Sequence, residues 1–297
     1  MAKPNISENR SIDLISAALE IEKKDALEAG EVGYMPRILV QTTLPYRDPK
    51  TKVYERSNGD LKLSLLSPNG VPFGSIPRFL VSYLATEAVR TGSPVVSLGH
   101  SQNDFMKLLG MSKAGGAQKN RVKQQCKRFF TTMLSMEVTR KNARTGAVQE
   151  AMENVLVAKK AFIFWQPKDN EPSLWESSME LTGDFFSECV TRPVPVDLRV
   201  MDALSPSPMA MDIYVWLTYR VVKATAISTL PWEYLMLQFG CADGTPVAAF
   251  RRSFLRALKQ VLEVSQWNPS ISIEGDGLTI FPGKGHVKHV KPVDKKR

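Results

Sequence analysis

The sequence predicts an α+β protein built from two tandem winged helix-turn-helix domains that are related by internal duplication. A basic amphipathic helix is predicted over Thr245–Val264, between a short helix and a hairpin. A second helix of the same design is predicted over Ala117–Leu134. A buried helix precedes each of them, and the later one, Pro208–Val222, begins 208 − 77 = 131 residues after the earlier one, Pro77–Arg90. Elements that recur in the same order at a nearly constant offset indicate a duplicated fold.

The C-terminal basic helix is predicted from its periodicity. At roughly 100° per residue, its large apolar side chains share one face and its charged side chains share the other. The apolar face holds Phe250, Phe254, Leu258, Val261 and Leu262, and the opposite face holds Arg252, Arg256, Lys259 and Glu263. Flanked by a helix over Pro231–Gly240 and a turn at Gly275–Gly277, it has the outline of a winged helix, whose second helix enters the DNA major groove. The simpler alternative is a solvated surface helix that touches no nucleic acid.

The N-terminal domain repeats this order of elements. Pro77–Arg90 is predicted as a buried helix, Pro94–Leu98 as a strand, and Ser101–Gly110 as a short helix capped by Ser101. In the basic helix that follows, one face is apolar and the other polar. The apolar face holds Val122, Cys126, Phe129, Phe130 and Met133, and the polar face holds Asn120, Arg121, Gln124, Lys127, Arg128 and Thr131. Between Lys113 and Arg144 there are nine Lys or Arg and one acidic residue, so positive charge is concentrated here.

The other segments complete the predicted organisation. Ser11–Leu27 is predicted as a helix, and the runs ILVQTTL and LKLSLLS between Arg37 and Leu66 as a strand pair, with Tyr46–Asp60 as loop. We expect the first wing to consist of Met136–Arg140, a Lys141–Gly146 turn, a strand over Val155–Trp165 and an alternating segment over Leu174–Leu181. The predicted domains are a helical extension (1–30), an N-terminal winged helix (31–182), a connector broken by prolines (183–198), a C-terminal winged helix (199–283) and a basic tail (284–297).

Composition limits the classes of protein that the chain can be. Its 297 residues are 43% hydrophobic, which is enough for packed cores, and 39 Lys and Arg against 30 Asp and Glu give a net charge of +9. This charge favours a polyanionic partner. Three widely spaced cysteines support neither a disulfide framework nor a zinc module. No apolar run approaches the ~20 residues of a membrane span, and Met1–Arg10 lacks a secretory core, so we expect a cytoplasmic protein with no membrane partner.

Five blocks occur in order along the chain: GVPFGSIPRFLVSYLATEAVR, LGHSQNDFMKLLGMSKAGG, SLWESSMELTGDFF, PVPVDLRVMDALSPSPMAMDIYVWLTYR and WEYLMLQFG. Together they resemble the conserved blocks of the plasmid-encoded RepA replication initiators, a group that includes TrfA-type initiators. The resemblance covers roughly Arg37 to Pro282. It implies two winged helices that bind repeated origin sites (iterons) in double-stranded DNA, recruitment of the host initiator and replicative helicase, and a monomer–dimer equilibrium. It also implies that Thr245–Val264 is the main reader of the repeat and Ala117–Leu134 the second contact.

Residue chemistry suggests which side chains would contact the DNA. Arginine pairs well with guanine, which makes Arg252 and Arg256 the candidates for guanine contacts. Asparagine and glutamine pair with adenine, so Asn120 or Gln124 could read that base. The remaining candidates for DNA binding, mainly through phosphate, are Arg251, Lys259, Arg121, Lys127 and Arg128.

Catalytic alternatives fit the sequence less well. A strand-nicking initiator would need two histidines around one apolar residue and a nearby tyrosine, whereas His286 and His289 are separated by Val287 and Lys288. A phosphate-binding loop is absent, because the glycines of Gly277–Gly283 are spaced one residue too far apart and Gly285 stands where Ser or Thr would bind magnesium. We therefore expect no enzyme activity, catalytic residue, cofactor or metal. The main alternative is a transcriptional regulator or autorepressor that uses the same winged helices.

Overall fold

The computed structural model describes residues 6–59, 61–111, 115–141, 148–165, 176–240 and 244–287. It divides into an N-terminal unit, Tyr34–Pro193, and a C-terminal unit that joins Met1–Gly33 to Val194–Arg297. The helices are α1 Ile6–Lys23, α2 Ile38–Gln41, α3 Ser75–Thr91, α4 Gln102–Leu108, α5 Gly116–Phe130, α6 Gly183–Thr191, α7 Leu198–Ala203, α8 Pro208–Lys223, α9 Trp232–Phe239 and α10 Val247–Ser265. The strands are β1 Val32–Met35, β2 Val53–Asn58, β3 Leu61–Leu66, β4 Val95–Ser97, β5 Met133–Lys141, β6 Val148–Leu156, β7 Ala158–Phe162, β8 Ser178–Leu181, β9 Val194–Asp197, β10 Ser228–Pro231, β11 Ile271–Glu274 and β12 Gly277–Ile280.

The N-terminal unit contains a winged-helix arrangement. Helix α3 leads through β4 and α4 to α5, and a three-stranded antiparallel sheet in the order β4-β8-β7 completes it. Helix α4 begins as predicted, because the Ser101 hydroxyl accepts a hydrogen bond from the Asp104 amide at 3.1 Å. Helix α5 buries its predicted apolar side chains Val122, Cys126, Phe129 and Phe130.

The predicted first wing was assigned to the wrong strands. Strands β5 and β6 do form a hairpin, but β5 pairs with β3 in a separate four-stranded sheet of order β2-β3-β5-β6. The chain passes from one sheet to the other at the single buried residue Val157, so the predicted strand over Val155–Trp165 is in fact two strands. No Gly or Pro marks that crossing. Most of the predicted Lys141–Gly146 turn, residues 142–146, lies outside the described residues.

Two further local predictions in this unit were wrong. The run ILVQTTL is predicted as a strand, but its first four residues form the buried helix α2. A short apolar run suits a buried helical turn as well as a strand. Strand β2 lies inside the predicted Tyr46–Asp60 loop and pairs with β3, from Val53 opposite Leu66 to Asn58 opposite Leu61. Its residues alternate between exposed and half-buried, and most are polar, so no apolar alternation marks the strand.

Residues 183–198, predicted as a connector, contain regular structure. The first half is helix α6, which packs against α3 and buries Phe185 and Cys189. The Phe185 ring meets Phe129 of α5 edge-on, with ring centroids 6.3 Å apart. The helix ends at Thr191, so Pro193 follows a helix that is only nine residues long. Strand β9 follows and belongs to the C-terminal unit.

The C-terminal unit has the same kind of architecture. Helix α8 leads through β10 and α9 to α10, and the β11–β12 hairpin closes an antiparallel sheet in the order β10-β12-β11. An aromatic cluster joins its three main helices: Phe254 of α10 lies 5.2 Å from Phe239 and 5.9 Å from Trp232 between ring centroids, and Phe239 lies 5.2 Å from Trp216. Gly277 allows the hairpin to approach β10, because a Cβ there would lie 2.3 Å from the Leu230 carbonyl oxygen.

Helix α1 belongs to the C-terminal unit, where it packs against α7 and α10. Arg199 of α7 donates hydrogen bonds to two carbonyls at the end of α1. One is that of Glu20 in the last turn of the helix, and the other is that of Lys24, which directly follows it. The same guanidinium pairs with the buried Asp197 carboxylate at 2.6 Å. The predicted helix Ser11–Leu27 is therefore integrated into the fold of this unit, although the predicted organisation set residues 1–30 apart.

The two units share an order of elements and a strand order. In the N-terminal unit, β4 follows α3 and pairs with the last strand, β8, which also pairs with β7. In the C-terminal unit, β10 follows α8 and pairs with the last strand, β12, which also pairs with β11. The α+β class is confirmed. That the two units arose by duplication stays a prediction.

Candidate nucleic-acid interface

The outer face of α10 carries a cationic stripe formed by Arg252, Arg256 and Lys259. All three are exposed, and the opposite face is buried. At 100° and 1.5 Å per residue, their spacing of four and three places them within about 60° around the helix and about 10.5 Å along it. Neither arginine makes a hydrogen bond or ion pair within the described part of the chain. Lys259 faces Glu263 at 3.6 Å in an exposed pair, which holds the lysine only weakly.

Arg251 lies beside this stripe but packs differently. Its guanidinium carbon is 5.2 Å from the centroid of the Trp232 ring, and the residue is half-buried. The Trp232 indole N–H donates to the Gly275 carbonyl at 3.1 Å, and its backbone N–H donates to the backbone carbonyl of Asp276 at 3.3 Å. Trp232 thus fastens the turn of the wing beside α10, and Arg251 is held at the same place.

The turn of the wing is acidic rather than basic. Glu274 and Asp276 flank Gly275, and both are exposed. Carboxylates repel phosphate, so the tip of this wing is a poor contact for a DNA backbone. Of these two surfaces, the stripe on α10 and not the turn of the wing therefore has the charge that suits DNA.

Helix α5 carries a second outward stripe, formed by Asn120, Gln124 and Lys127, all exposed. Arg121 and Lys123 lie on its two sides and are also exposed. Lys123 is not among the predicted site residues, because the predicted polar face extends from the stripe toward Arg121 and away from Lys123. The buried Gln102 of α4 donates to the Lys119 carbonyl at 2.7 Å and so ties the two helices together.

The structure places Arg128, a predicted phosphate contact, away from this exposed set. Its guanidinium donates to both carboxylate oxygens of Asp48, at 3.2 and 3.1 Å, and to the Val71 carbonyl at 3.0 Å. It also lies 5.0 Å from the Phe73 ring centroid. The Arg128 hydrogen bonds lower the pKa of Asp48 below its usual value. Arg128 is therefore occupied in joining the end of α5 to two preceding loop segments, and we do not include it in the interface.

This role predicts the effect of removing Arg128. We expect Arg128→Ala to destabilise the N-terminal unit by about 1.5–3 kcal/mol, the usual worth of hydrogen bonds to a charged group, because Asp48 and the Val71 carbonyl lose their donor. Arg121→Ala, which removes an exposed arginine of the same helix, is the matched control and should change stability by less than ~0.5 kcal/mol. Urea unfolding of both variants measures the difference, and equal midpoints would contradict the structural role.

The two outward stripes occupy equivalent positions in the two units. Each stripe has its members at positions i, i+4 and i+7 of its helix, 132 residues apart in the chain, and each lies opposite the buried face of that helix. One stripe offers two guanidinium groups and the other two carboxamides. These are the side chains that pair with the major-groove edges of guanine and adenine, respectively.

Other kinds of site find little support in the described residues. They contain no group of three or more His, Cys, Asp or Glu placed to hold a metal ion. Cys126 and Cys189 are buried, and burial raises the pKa of both thiols, which keeps them protonated. No helix among the described residues has both the length and the apolar character needed to cross a bilayer.

Comparison with known proteins identifies the family. The structure is similar to a crystal structure of domains 2 and 3 of RctB, with a TM-score of 0.54 and 14% sequence identity over 85% of this chain and 99% of that one, which shows a shared fold. A second structure of the RctB domains 2–3 gives a TM-score of 0.47 and 13% identity over 80% of this chain and 84% of that one. No curated protein sequence matches the chain. The family model described as "Plasmid encoded RepA protein" matches residues 71–232, which is more than half of the chain. The chain therefore belongs to the plasmid-encoded RepA family and is a replication initiator.

Proposed function

We propose that the chain starts plasmid replication by binding iterons in double-stranded origin DNA through the outward stripes of α5 and α10, and that it has no catalytic chemistry of its own. The observation that carries this proposal is the equivalence of the two stripes. Both are exposed, both lie on the second helix of a helix-turn-helix, and both present side chains that pair with base edges. For a replication initiator with two such helices, duplex DNA is a sufficient ligand for both of them.

In this proposal the side chains have different tasks. Arg252 and Arg256 contact guanine, and Asn120 and Gln124 contact adenine. Phosphate contacts come from the cations beside them, which set register and add affinity without sequence preference. These are Arg121, Lys123, Lys127, Arg251 and Lys259.

Two readers in one chain suit directly repeated sites. One recognition helix covers a few base pairs, whereas two can occupy major-groove faces one helical turn, ~34 Å, apart. A monomer would then read roughly twenty base pairs without two-fold symmetry. The family resemblance further supports recruitment of the host initiator and helicase by the origin-bound chain, and an equilibrium between monomer and dimer. An autorepressor would use the same stripes at an operator, and a gel shift with origin DNA against promoter DNA separates the two functions.

The proposed phosphate contacts of α5 predict a change in salt dependence. Replacing Lys123 and Lys127 by alanine should weaken binding to all duplex DNA and reduce the slope of log K against log[salt] by about 1.8, which is ~0.9 for each lost contact. The control is Lys223→Ala with Lys284→Ala, which removes two exposed lysines outside both helices. Filter binding at several salt concentrations gives the slopes. If the slope for the α5 variant equals that of wild type, these lysines do not contact phosphate.

A further inference from the structure

An apolar groove of about 540 Å³ lies between α1 and α10 of the C-terminal unit. Part of its lining comes from Ile15, Leu19 and Glu22 of α1 and from Glu263 and Val264 of α10. Ile15 is 61% exposed, and Leu19, one helical turn later, is 51% exposed. Water contact with two adjacent aliphatic side chains in a groove is unfavourable, so this groove is suited to hold an apolar ligand.

The lining of the groove includes two carboxylates. Glu22 and Glu263 are both exposed, and the described residues that line the groove include no lysine or arginine. Lys23, beside Glu22, pairs instead with Glu20 at 2.7 Å. Lys259 approaches Glu263 only to 3.6 Å in an exposed pair, which neutralises that carboxylate weakly. The groove therefore suits a ligand that combines aliphatic side chains with cations.

The last ten residues of the sequence combine these two properties. Residues 288–297, here called the C-terminal segment, read KHVKPVDKKR and lie outside the described residues. Five of them are Lys or Arg and one is Asp, so their side chains carry a net charge of 5 − 1 = +4 with His neutral. Val290 and Val293 supply two aliphatic side chains between these charges. The segment is thus complementary to the groove in both charge and polarity.

The C-terminal segment begins beside the groove. The described chain ends at Val287, which is buried, and the ring centroid of His286 lies 6.0 Å from that of Trp267. Trp267 directly follows Gln266, which lines the groove at the end of α10. A chain of ten residues can extend ~33 Å, whereas the part of α1 that lines the groove is only ~12 Å long. The segment is therefore long enough to lie along the groove.

Other occupants fit the groove less well. A symmetric interface between two copies of the chain would place the same patch on both sides, so the carboxylates of Glu22 and Glu263 would face like charges. A DNA backbone would be repelled by the same carboxylates. The chain's own segment has a further advantage, because its attachment gives an effective concentration near the millimolar range, at which even a weak contact is occupied.

We infer that the groove between α1 and α10 binds the C-terminal segment and keeps its cations from DNA. The valines of the segment cover Ile15 and Leu19, and its lysines lie near Glu22 and Glu263. This docking is independent of the duplex proposal. Its effect on DNA binding rests on the proposed function, because free cations would add phosphate contacts that have no sequence preference. The groove thereby restrains non-specific binding.

NMR relaxation of the ¹⁵N-labelled full chain tests the docking. We expect the backbone amides of Val290, Lys291 and Val293 to have order parameters of about 0.8 in wild type and below ~0.6 when the groove is altered. The altered chains are Ile15→Ser with Leu19→Ser, and Glu22→Lys with Glu263→Lys. The matched controls change exposed apolar and exposed acidic positions of the same unit and should leave the order parameters unchanged. They are Ile227→Ser with Leu237→Ser, and Glu274→Lys with Asp276→Lys.

A charge swap distinguishes docking from misfolding. Adding Lys291→Glu and Lys295→Glu to the Glu22→Lys, Glu263→Lys variant should restore order to the segment, because opposite charges again face each other. Low order parameters in wild type, unchanged ones in the altered chains, or no rescue by the swap would overturn the docking.

Binding to a scrambled duplex tests the effect on DNA. Ile15→Ser with Leu19→Ser leaves the net charge unchanged but frees the segment. Its affinity should rise at least about threefold, the factor expected if the segment is docked for at least about two-thirds of the time. Unchanged duplex affinity in this variant would overturn the claim that the groove keeps the cations from DNA. A wild-type chain that has an ordered segment but binds no duplex would support the docking and contradict the proposed function alone.

Discussion

Replacing Arg252 and Arg256 together by alanine is expected to lower sharply the preference of the chain for its origin repeat, so that only the preference contributed by α5 remains. A bidentate arginine–guanine contact is worth ~1–3 kcal/mol of discrimination, so the loss of two should lower the specificity ratio by about thirtyfold or more. Residual binding should remain, because the phosphate contacts of both helices are intact. Gel shifts with the repeat and with a scrambled duplex of equal length measure the ratio.

The control for this experiment removes equal charge elsewhere. Lys223→Ala with Lys284→Ala also lowers the net charge by two, but neither lysine lies on α10. This control should reduce affinity for both duplexes alike and keep the preference. Circular dichroism should be the same for both variants, because all four side chains are exposed. An arginine variant with full preference for the repeat would show that α10 does not read the sequence.

Phe254→Ala is expected to destabilise the C-terminal unit by about 3–5 kcal/mol, the usual cost of removing a fully buried phenylalanine. This ring contacts the rings of Trp232, Phe239 and Phe250, so its loss leaves a cavity where α9 and α10 meet. We expect sequence-specific DNA binding to weaken with it, since α10 would no longer be held against the unit.

Denaturant unfolding followed by tryptophan fluorescence measures the effect, because Trp216 and Trp232 lie in the same cluster. With two compact units the unfolding curve need not be two-state, so the transition reported by these tryptophans is the one to compare. Leu237→Ala, at an exposed position of α9, is the control and should shift stability by less than ~0.5 kcal/mol. Similar transitions for the two variants would mean that the cluster does not hold the helices together.

Much of the fold could be predicted because its main helices carry their own signals. In α5 and α10, apolar residues recur at helical spacing and the intervening positions are charged, so both the helix and its buried face follow from local sequence. Ser101 and Ser207 mark the starts of α4 and α8 by accepting backbone N–H groups. Local sequence rules predict a helix correctly where its start and its buried face are determined by residues within one turn of each other.

The errors arose where the deciding contact is distant in sequence. Strand β2 is a strand because β3 pairs with it, and its own residues show no apolar alternation. Strand β5 follows α5 as a wing strand would, but it pairs with β3 in a separate sheet, while β7 and β8 form the sheet with β4. Only the tertiary structure decides which sheet β5 joins. Sequence periodicity cannot show which of two sheets a strand joins when both sheets contain strands of the same kind.

The candidate site shows the same limit at the level of single residues. Helical periodicity placed Arg252, Arg256, Asn120 and Gln124 on outward faces, and the structure finds them exposed. Arg128 is on the same polar side of α5, but its partner Asp48 is 80 residues away in sequence, so no local pattern indicates that it is occupied. Whether the exposed side chains contact bases stays a prediction.

Hydroxyl-radical footprinting of the purified chain on the DNA that flanks its own gene tests most directly the claim that two helices of one chain read each repeat. We predict protection of directly repeated sites of roughly twenty base pairs, each covering two successive major-groove turns. The variant Arg252→Ala with Arg256→Ala should lose one half of each footprint, and Asn120→Ala with Gln124→Ala should lose the other. Footprints that span a single turn, or halves that disappear together in either variant, would contradict the account.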